Sequence, residues 1–347
     1  MHRPARARLA PSRPLRTLLV AGLLAATLAG CSGDEEPEAD PPAAGESVAE
    51  GEPVLETWPL TGLPVGDSAA PEHPVLVVKI DNTSSSSPQA GLGKADLVVE
   101  ELVEGGSTRL ASFFYSELPK VVGPVRSMRA SDIGIVSPVD AAVVTSGAAA
   151  QTIARIEDAG IRFFSEGAKG MFRDDARSAP YNLFAELRTV ARQTKQPQER
   201  PADYLPWGEE GEAATGRAVT SMEVAFSPAH STEWEFRDGV YRNLNTFAAE
   251  TDEFVPDTVL VLRVQVGDAG YLDPAGNPVP ETTFEGSGKA WLFHGGRLRR
   301  ATWSKDDLQA PLELATRSGE ILTVPPGLVW IELLPATTGS LTVGSGG

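Results

Sequence analysis

The chain has 347 residues, with 30 Lys+Arg against 47 Asp+Glu and a formal net charge of −17. That balance argues against nucleic acid as a partner, because phosphate recognition needs the opposite sign. The one cysteine, Cys31, leaves no disulfide framework, no Cys-based metal site and no spare thiolate nucleophile, so stability has to come from packing.

Residues 1–30 hold five arginines (Arg3, Arg6, Arg8, Arg13, Arg16) and no acid, followed by an apolar run from Leu18 to Ala29 that is too short to span a bilayer. The pattern predicts a signal peptide over 1–30; an uncleaved signal anchor with an incidental cysteine is the alternative. Leu28-Ala29-Gly30 before Cys31 resembles the lipobox of bacterial lipoproteins. The resemblance implies a diacylglycerol on the Cys31 sulfur and a further acyl chain, such as palmitate, on the new amino terminus. Two or three buried acyl chains hold a protein on a membrane far better than one, at about 0.8 kcal/mol per CH₂. The expected address is therefore the outer face of the cytoplasmic membrane, with the membrane as a partner through the lipid. Cleavage leaves 25 Lys+Arg against 47 Asp+Glu, a net charge of about −22.

Residues 31–56 are acidic and rich in Pro, Ala, Gly and Glu, the composition of a disordered tether. A first folded region is expected over 57–196. Val75–Ile80 is a nearly continuous apolar run suited to a strand covered on both faces. Leu97–Leu102 and Leu110–Tyr115 are further strands, joined as a hairpin through Gly105-Gly106-Ser107. Ala141–Thr145 reads as a buried strand, Ala148–Ala159 as a helix capped by Gly160, and Leu183–Gln193 as a second helix. A polar linker is expected over 197–217. The second region, 218–337, is β-rich, with strands at Glu233–Phe236, Thr258–Val266, Ala290–Phe293, Arg297–Trp303 and Leu328–Leu334. Gly286-Ser287-Gly288-Lys289 reads as a β-turn, and a flexible tail is expected over 338–347. The class is α+β: a mixed α/β amino-terminal domain followed by a β-rich carboxy-terminal domain.

Familiar catalytic sets are missing. His73, His230 and His294 are far apart, and there is no His-Glu-x-x-His, Gly-x-Ser-x-Gly or Ser-x-x-Lys motif. No catalytic residue, cofactor or metal is expected. Polar residues instead crowd the ends of the apolar strands of the first region: Asp81 and Asn82, then Glu100, Glu101 and Glu104, then Arg109, Arg126 and Arg129. A helix beginning near Ser127 would put Arg126 and Arg129 at an amino terminus that favours an anion. Arg173, Asp174, Arg177 and Asn182 add a loop of guanidinium and amide donors suited to carboxylate or phosphate. Arg109, Arg126, Arg129, Arg173, Asn182, Asp81, Asn82 and Glu104 are thus the ligand-binding candidates, and Cys31 is the lipidation site. The competing reading is that these acids and arginines only pair with one another. Trp234, Trp291 and Trp303 suit either a sugar-stacking surface or, as aromatics in short strands usually do, the core.

The strings Val77-Val78-Lys79-Ile80-Asp81-Asn82, Pro88-Gln89-Ala90-Gly91-Leu92, Glu104-Gly105-Gly106-Ser107-Thr108-Arg109 and Gly123-Pro124-Val125-Arg126-Ser127-Met128-Arg129 resemble the YerB-like lipoprotein family. Phe172-Arg173-Asp174, Ala179-Pro180-Tyr181-Asn182-Leu183, Thr302-Trp303-Ser304-Lys305 and Pro326-Gly327-Leu328-Val329-Trp330-Ile331 extend the likeness through both regions. It implies two domains of that family in tandem, an α+β class and a lipoprotein of unknown function. The family pattern has a Pro-His-x-Asp element where Tyr241-Arg242 here leads into Asn245-Thr246-Phe247, so no role resting on that histidine carries over.

The expected function is a non-catalytic envelope protein that binds an anionic ligand or a cell-wall polymer or protein through the arginine-bearing edge. One alternative is a cell-wall polymer enzyme, by analogy of residue types with LytR-CpsA-Psr phosphotransferases, in which Arg109, Arg126 and Arg129 steady a pyrophosphate and Asp81 or Asp96 holds Mg²⁺. The other is an envelope scaffold, which requires a large exposed apolar patch.

Overall fold

The computed structural model describes residues 56–195, 199–209 and 215–344. Cys31, the signal peptide and nearly all of the tether lie outside them. The apolar runs of the first region form β1 (Leu76–Asn82), β2 (Leu97–Leu102) and β3 (Thr108–Phe114) in the antiparallel order β2-β3-β1. Gly105 and Gly106, which link β2 to β3, take φ of 72° and 77°, a conformation that glycine adopts without a Cβ clash. β4 (Ala142–Val144) and β5 (Phe163–Phe164) extend the sheet in parallel. Two helices, α1 (Asp132–Val136) and α2 (Ala150–Asp158), pack on one face, and Gly160 follows α2 at φ 73°. A hairpin of β6 (Met171–Arg173) and β7 (Leu183–Ala185) leads to α3 (Leu187–Ala191).

The second region adds β8 (Arg217–Ala218), β9 (Ser221–Ser227), β10 (His230–Arg237), β11 (Val240–Asn243), β12 (Thr258–Leu272) and β13 (Pro278–Thr283). It continues with β14 (Gly286–His294), β15 (Arg297–Lys305), β16 (Glu313–Ala315), β17 (Val329–Pro335) and β18 (Ser340–Gly344). β17 joins the two regions. It runs parallel to β12 on one side and to β2 on the other, with Val329 opposite both Thr258 and Leu97. Among the described residues one sheet therefore runs β16-β15-β14-β12-β17-β2-β3-β1-β4-β5, with β13 beside β12 and β8 beside β15. A second sheet, β11-β10-β9-β18, covers part of one face. The class is α+β.

Strand alternation sorts the side chains into two cores. Val77, Leu97, Val99, Phe113, Leu262 and Ile331 pack beneath Ile133 and Ile156 of the helices. Val78, Val98, Leu110, Val261 and Trp330 pack against Val224, Phe226 and Trp234 of the smaller sheet. Each core draws on both regions. All seven positions of β17 are buried because both its faces are covered.

Several segments differ from expectation for definable reasons. Tyr204 and Leu205, expected in a linker, are buried, and the Tyr204 hydroxyl donates to the Ile135 carbonyl at 2.9 Å. Ser340–Gly344, expected in a flexible tail, pairs with β9. Leu183–Ala185 is a strand rather than the start of a helix, because the hairpin partner Met171–Arg173 takes its backbone groups; the helix is limited to Leu187–Ala191. Gly286-Ser287-Gly288-Lys289 opens β14 instead of forming a turn, paired with Thr302–Lys305. Gly288 is needed there: a Cβ would stand 2.3 Å from the Arg263 carbonyl and 2.5 Å from Trp303 Nε1. Gly288→Ala is accordingly expected to cost about 1–3 kcal/mol through overpacking, read as a lower urea midpoint at unchanged slope.

Trp234 and Trp303 are each 1% exposed and belong to the cores, which removes them from any sugar-stacking surface; Trp291 alone of the three is half-buried.

Candidate functional site

The carboxyl end of β1 and the hairpin end of β2 and β3 come together, and alternation divides their polar residues between the two faces. On the helix-covered face, Lys79 Nζ donates to Glu101 Oε1 at 2.7 Å and to Asp132 Oδ1 at 2.6 Å, all three side chains being completely buried. Burial raises the Glu101 carboxyl above its ordinary range; Lys79 opposes the rise and Asp132 adds to it. Next along the same face lie Asp81 and Arg109, paired in register across β1 and β3. Arg109 Nη1 donates to the Ser127 carbonyl at 2.8 Å, and Nη2 lies 3.8 Å from Glu104 Oε1. Its buried Nε has no acceptor. Burial pushes the Arg109 guanidinium down to about 10, with Arg129 and Arg126 adding to the effect and Glu104 and Asp81 opposing it. It remains a cation at neutral pH.

Arg126 and Arg129 reach this cluster from the segment before α1. Arg129 grips Glu104 through Nε, at 2.9 Å, and Nη2, and its Nη1 donates to the Met128 carbonyl at 2.9 Å. Arg126 Nη1 is 3.2 Å from Asp81 Oδ2 but makes no aligned hydrogen bond, and the guanidinium carbon lies 4.9 Å from the centre of the Tyr181 ring. The expected helix start near Ser127 is not found: α1 begins at Asp132. The Met128 amide donates to the Thr145 hydroxyl and the Gly147 carbonyl, which holds the segment against the loop after β4. A helix dipole therefore does not act on these arginines.

The opposite face carries a second buried network. Glu100 Oε1 accepts from Asn82 at 3.0 Å and Thr108 at 2.6 Å and lies 2.8 Å from His230 Nε2; its Oε2 accepts from Thr232 at 2.9 Å. Glu332 stands opposite Glu100 in the β17–β2 register, and its Oε1 accepts from Trp234 Nε1 at 2.8 Å. Burial, reinforced by Glu100, raises the Glu332 carboxyl well above the usual range, and a proton there suits its Oε2, toward which no donor points. Burial would raise Glu100 as well, but the His230 bond and charge with the Thr108 bond hold it below. His230, which burial alone would lower, is raised by Glu100.

The structure thus gathers Asp81, Glu104, Arg109, Arg126 and Arg129, sends Asn82 to the other face, and keeps Arg173 and Asn182 as a separate pair. Arg173 donates to Asn182 Oδ1 and, through Nε and Nη2, to Glu166 at 2.6 and 2.7 Å, so its guanidinium is spent internally. Arg177 is likewise bound, to the carbonyls of Ser86 and Pro88 at 3.1 and 2.5 Å. Asp81 Oδ1 accepts from the Thr83 amide and hydroxyl, and Asp96 accepts from the amides of Tyr115 and Ser116. Among the described residues no group of three or more His, Cys, Asp or Glu is placed to hold a metal ion. Lys79, Asp132, His230 and Glu332 are the participants that sequence reasoning missed. Two of them carried a signal: Lys79 interrupts the apolar run of β1 and Glu332 is the lone charge of β17, and a charge inside such a strand needs a buried partner.

One mixed sheet with paired charges at its strand ends thus carries both networks. Two family models match the chain, the N-terminal domain of "Protein of unknown function (DUF3048)" over residues 60–200 and its C-terminal domain over 222–331, and the chain belongs to this YerB-like family. A relative is the "Putative lipoprotein YerB" of Bacillus subtilis (strain 168), 24% identical over 294 residues that cover 80% of this chain and 86% of that protein. The crystal structure of YerB from Bacillus subtilis shares the fold, with a TM-score of 0.68 at 21% identity over 82% of this chain and 99% of that one.

Proposed function

We propose that this chain is a lipid-anchored envelope protein that binds an anionic ligand without transforming it, with Arg126 as the reachable member of the site. The carrying observation is that Arg109, Arg126 and Arg129 converge on only two carboxylates, Asp81 and Glu104, and leave Arg109 Nε and Arg126 Nη1 without acceptors. An unmade hydrogen bond on a buried guanidinium is costly, so an incoming acid gains more there than at a fully paired arginine. Arg109 and Arg129 are held by Ser127, Met128 and Glu104 and position the cluster; Arg126, with a fifth of its side chain exposed beside Tyr181, meets the ligand. The anchor reading rests on the lipobox at Cys31 and on the lipoprotein description of the Bacillus relative. It places the folded part on the outer side of the cytoplasmic membrane, facing a cell-wall polymer or an envelope protein. The enzymatic alternative gains nothing, since Asp81 and Asp96 sit at opposite ends of the β1–β3 strands, each engaged by local donors.

Arg126→Ala is expected to weaken binding to purified wall fragments by about tenfold, the worth of one charge-assisted bond, while Arg173→Ala leaves it unchanged. Equal affinity of wild type and Arg126→Ala in a pull-down sinks the assignment. Palmitate labelling that persists in Cys31→Ala would remove the anchor.

A further inference from the structure

Elsewhere, the outer strands of the large sheet and the turn after β16 carry a group of cations with no acidic partner. Trp291 of β14 is opposite Arg300 of β15, and Lys289 is two residues from Trp291, so strand alternation puts all three on one face. Two adjoining cavities of about 570 and 460 Å³ share these three residues. The first is extended by Arg317 and the second by Arg217 and Arg263. No acid lines either cavity. Among the described residues the side chains of Lys289, Arg300, Arg317 and Arg217 have no carboxylate or hydrogen-bond partner, in a protein whose net charge is −17. Arg263 is fixed by bonds to the carbonyls of Ala336 and Gly339 at 3.1 and 2.9 Å, and its Nε still lacks an acceptor.

We propose that this Trp291 cleft is a second binding site, for a short stretch of glycan carrying acidic groups. Each part has a matching role. A half-buried indole offers a flat apolar surface for the C–H face of a sugar ring, and it is flanked by Arg300, its cross-strand neighbour, and by Lys289, the next residue on the same face of β14, where a phosphate or carboxylate on that ring would lie. The cavity volumes are those of small-molecule sites, which suits a few sugar units rather than a long polymer groove. Long nucleic acids are disfavoured by the negative charge of the remaining surface. The site is independent of Arg126.

The test uses the intact folded chain and five probes: trigalacturonate, a glycosyl phosphate disaccharide, neutral chitotriose, inorganic phosphate and ADP. Binding is followed by indole fluorescence and by calorimetry at low and at physiological salt. The expected result is that trigalacturonate or the glycosyl phosphate, whichever acid the site accepts, binds with salt-sensitive affinity at least about tenfold tighter than chitotriose or phosphate. Lys289→Ala/Arg300→Ala should abolish that preference, and Trp291→Ala should lower affinity by about tenfold, while Arg173→Ala, whose guanidinium is spent on Glu166 and Asn182, changes neither. Lys289 and Arg300 are exposed, so their double variant keeps the wild-type unfolding midpoint. Equal binding of chitotriose, full affinity in the double variant, or tighter binding of ADP than of either acidic sugar overturns the proposal. Loss of wall binding in Arg126→Ala with this cleft unaffected would separate the two sites.

Discussion

Lys79→Met is expected to lower the free energy of unfolding by about 3–5 kcal/mol, the usual consequence of removing one partner from a buried ionic group. The ammonium sits between Glu101 and Asp132 with none of the three side chains exposed, so nothing else can neutralise the carboxylates it leaves. Asp132 Oδ2 keeps one donor, the Arg129 amide at 2.7 Å, but Glu101 Oε2 has none even in the native protein. The deficit should shrink as pH falls. Without the cation that opposes its rise, the buried Glu101 carboxyl holds its proton more tightly when folded than when unfolded, and proton uptake then favours the folded state. Adding Glu101→Gln and Asp132→Asn should recover most of the loss, because an uncharged set no longer buries unpaired ions. Urea unfolding at pH 5.5 and pH 8 checks this; a deficit below about 1 kcal/mol, or one that widens in acid, contradicts the account.

Glu100 and Glu332 stand side by side on parallel strands but should respond in opposite ways to substitution. Glu100→Ala strips acceptors from Asn82, Thr108, Thr232 and His230 at once and is expected to cost about 3–5 kcal/mol. Glu332→Gln preserves the neutral form that burial and Glu100 already impose and should cost no more than about 1 kcal/mol at neutral pH. The pH dependence follows from the directions of the shifts. Glu332 is raised, so its contribution is complete below the unfolded value of 4.5 and is lost as pH climbs through the folded value. His230 is raised too: its contribution is complete below 6.5 and fades at higher pH. Glu100 is lowered, so it stabilises above 4.5 and loses that effect as acid takes the pH through its folded value. The Glu100–His230 pair therefore favours a window between the two unfolded values, 4.5 and 6.5, with decline on either side, and Glu332 adds a loss as pH rises above 4.5. Glu332→Gln should flatten the alkaline limb and leave the acid limb intact. A thermal unfolding series across pH with an unchanged alkaline slope in Glu332→Gln would count against a proton on that carboxyl.

Both networks bear on the candidate binding site, because they hold β1, β2 and β3 at the end where Arg109 and Arg126 meet. Lys79 and Asp81 are two residues apart on one face of β1, so a shift at the Lys79 centre moves the carboxylate that faces Arg126. Asp81 and Arg109 thus stand on buried strands, and Arg126 and Arg129 reach them from the segment before α1.

Local sequence determined the strands and their faces. Val75–Ile80, Leu97–Leu102 and Thr258–Val266 alternate or run apolar over lengths that suit strands, and Gly105-Gly106 supplies the only backbone able to close the β2–β3 hairpin at positive φ.

Tertiary structure alone decided three things. Nothing local in Val329–Pro335 names Leu97–Glu101 as its neighbour, yet that parallel pairing makes one sheet of two regions and sets Glu332 against Glu100. Nor does an arginine's presence tell whether its N–H groups are already used: Arg173 is consumed by Glu166 and Asn182, Arg129 by Glu104, whereas Lys289 and Arg300 meet no acid. Trp291 became distinct from Trp234 and Trp303 only through what covers each of them. Propensity and periodicity act over a few residues along the chain, while charge pairing and burial depend on distances between atoms that packing brings together across dozens or hundreds of residues.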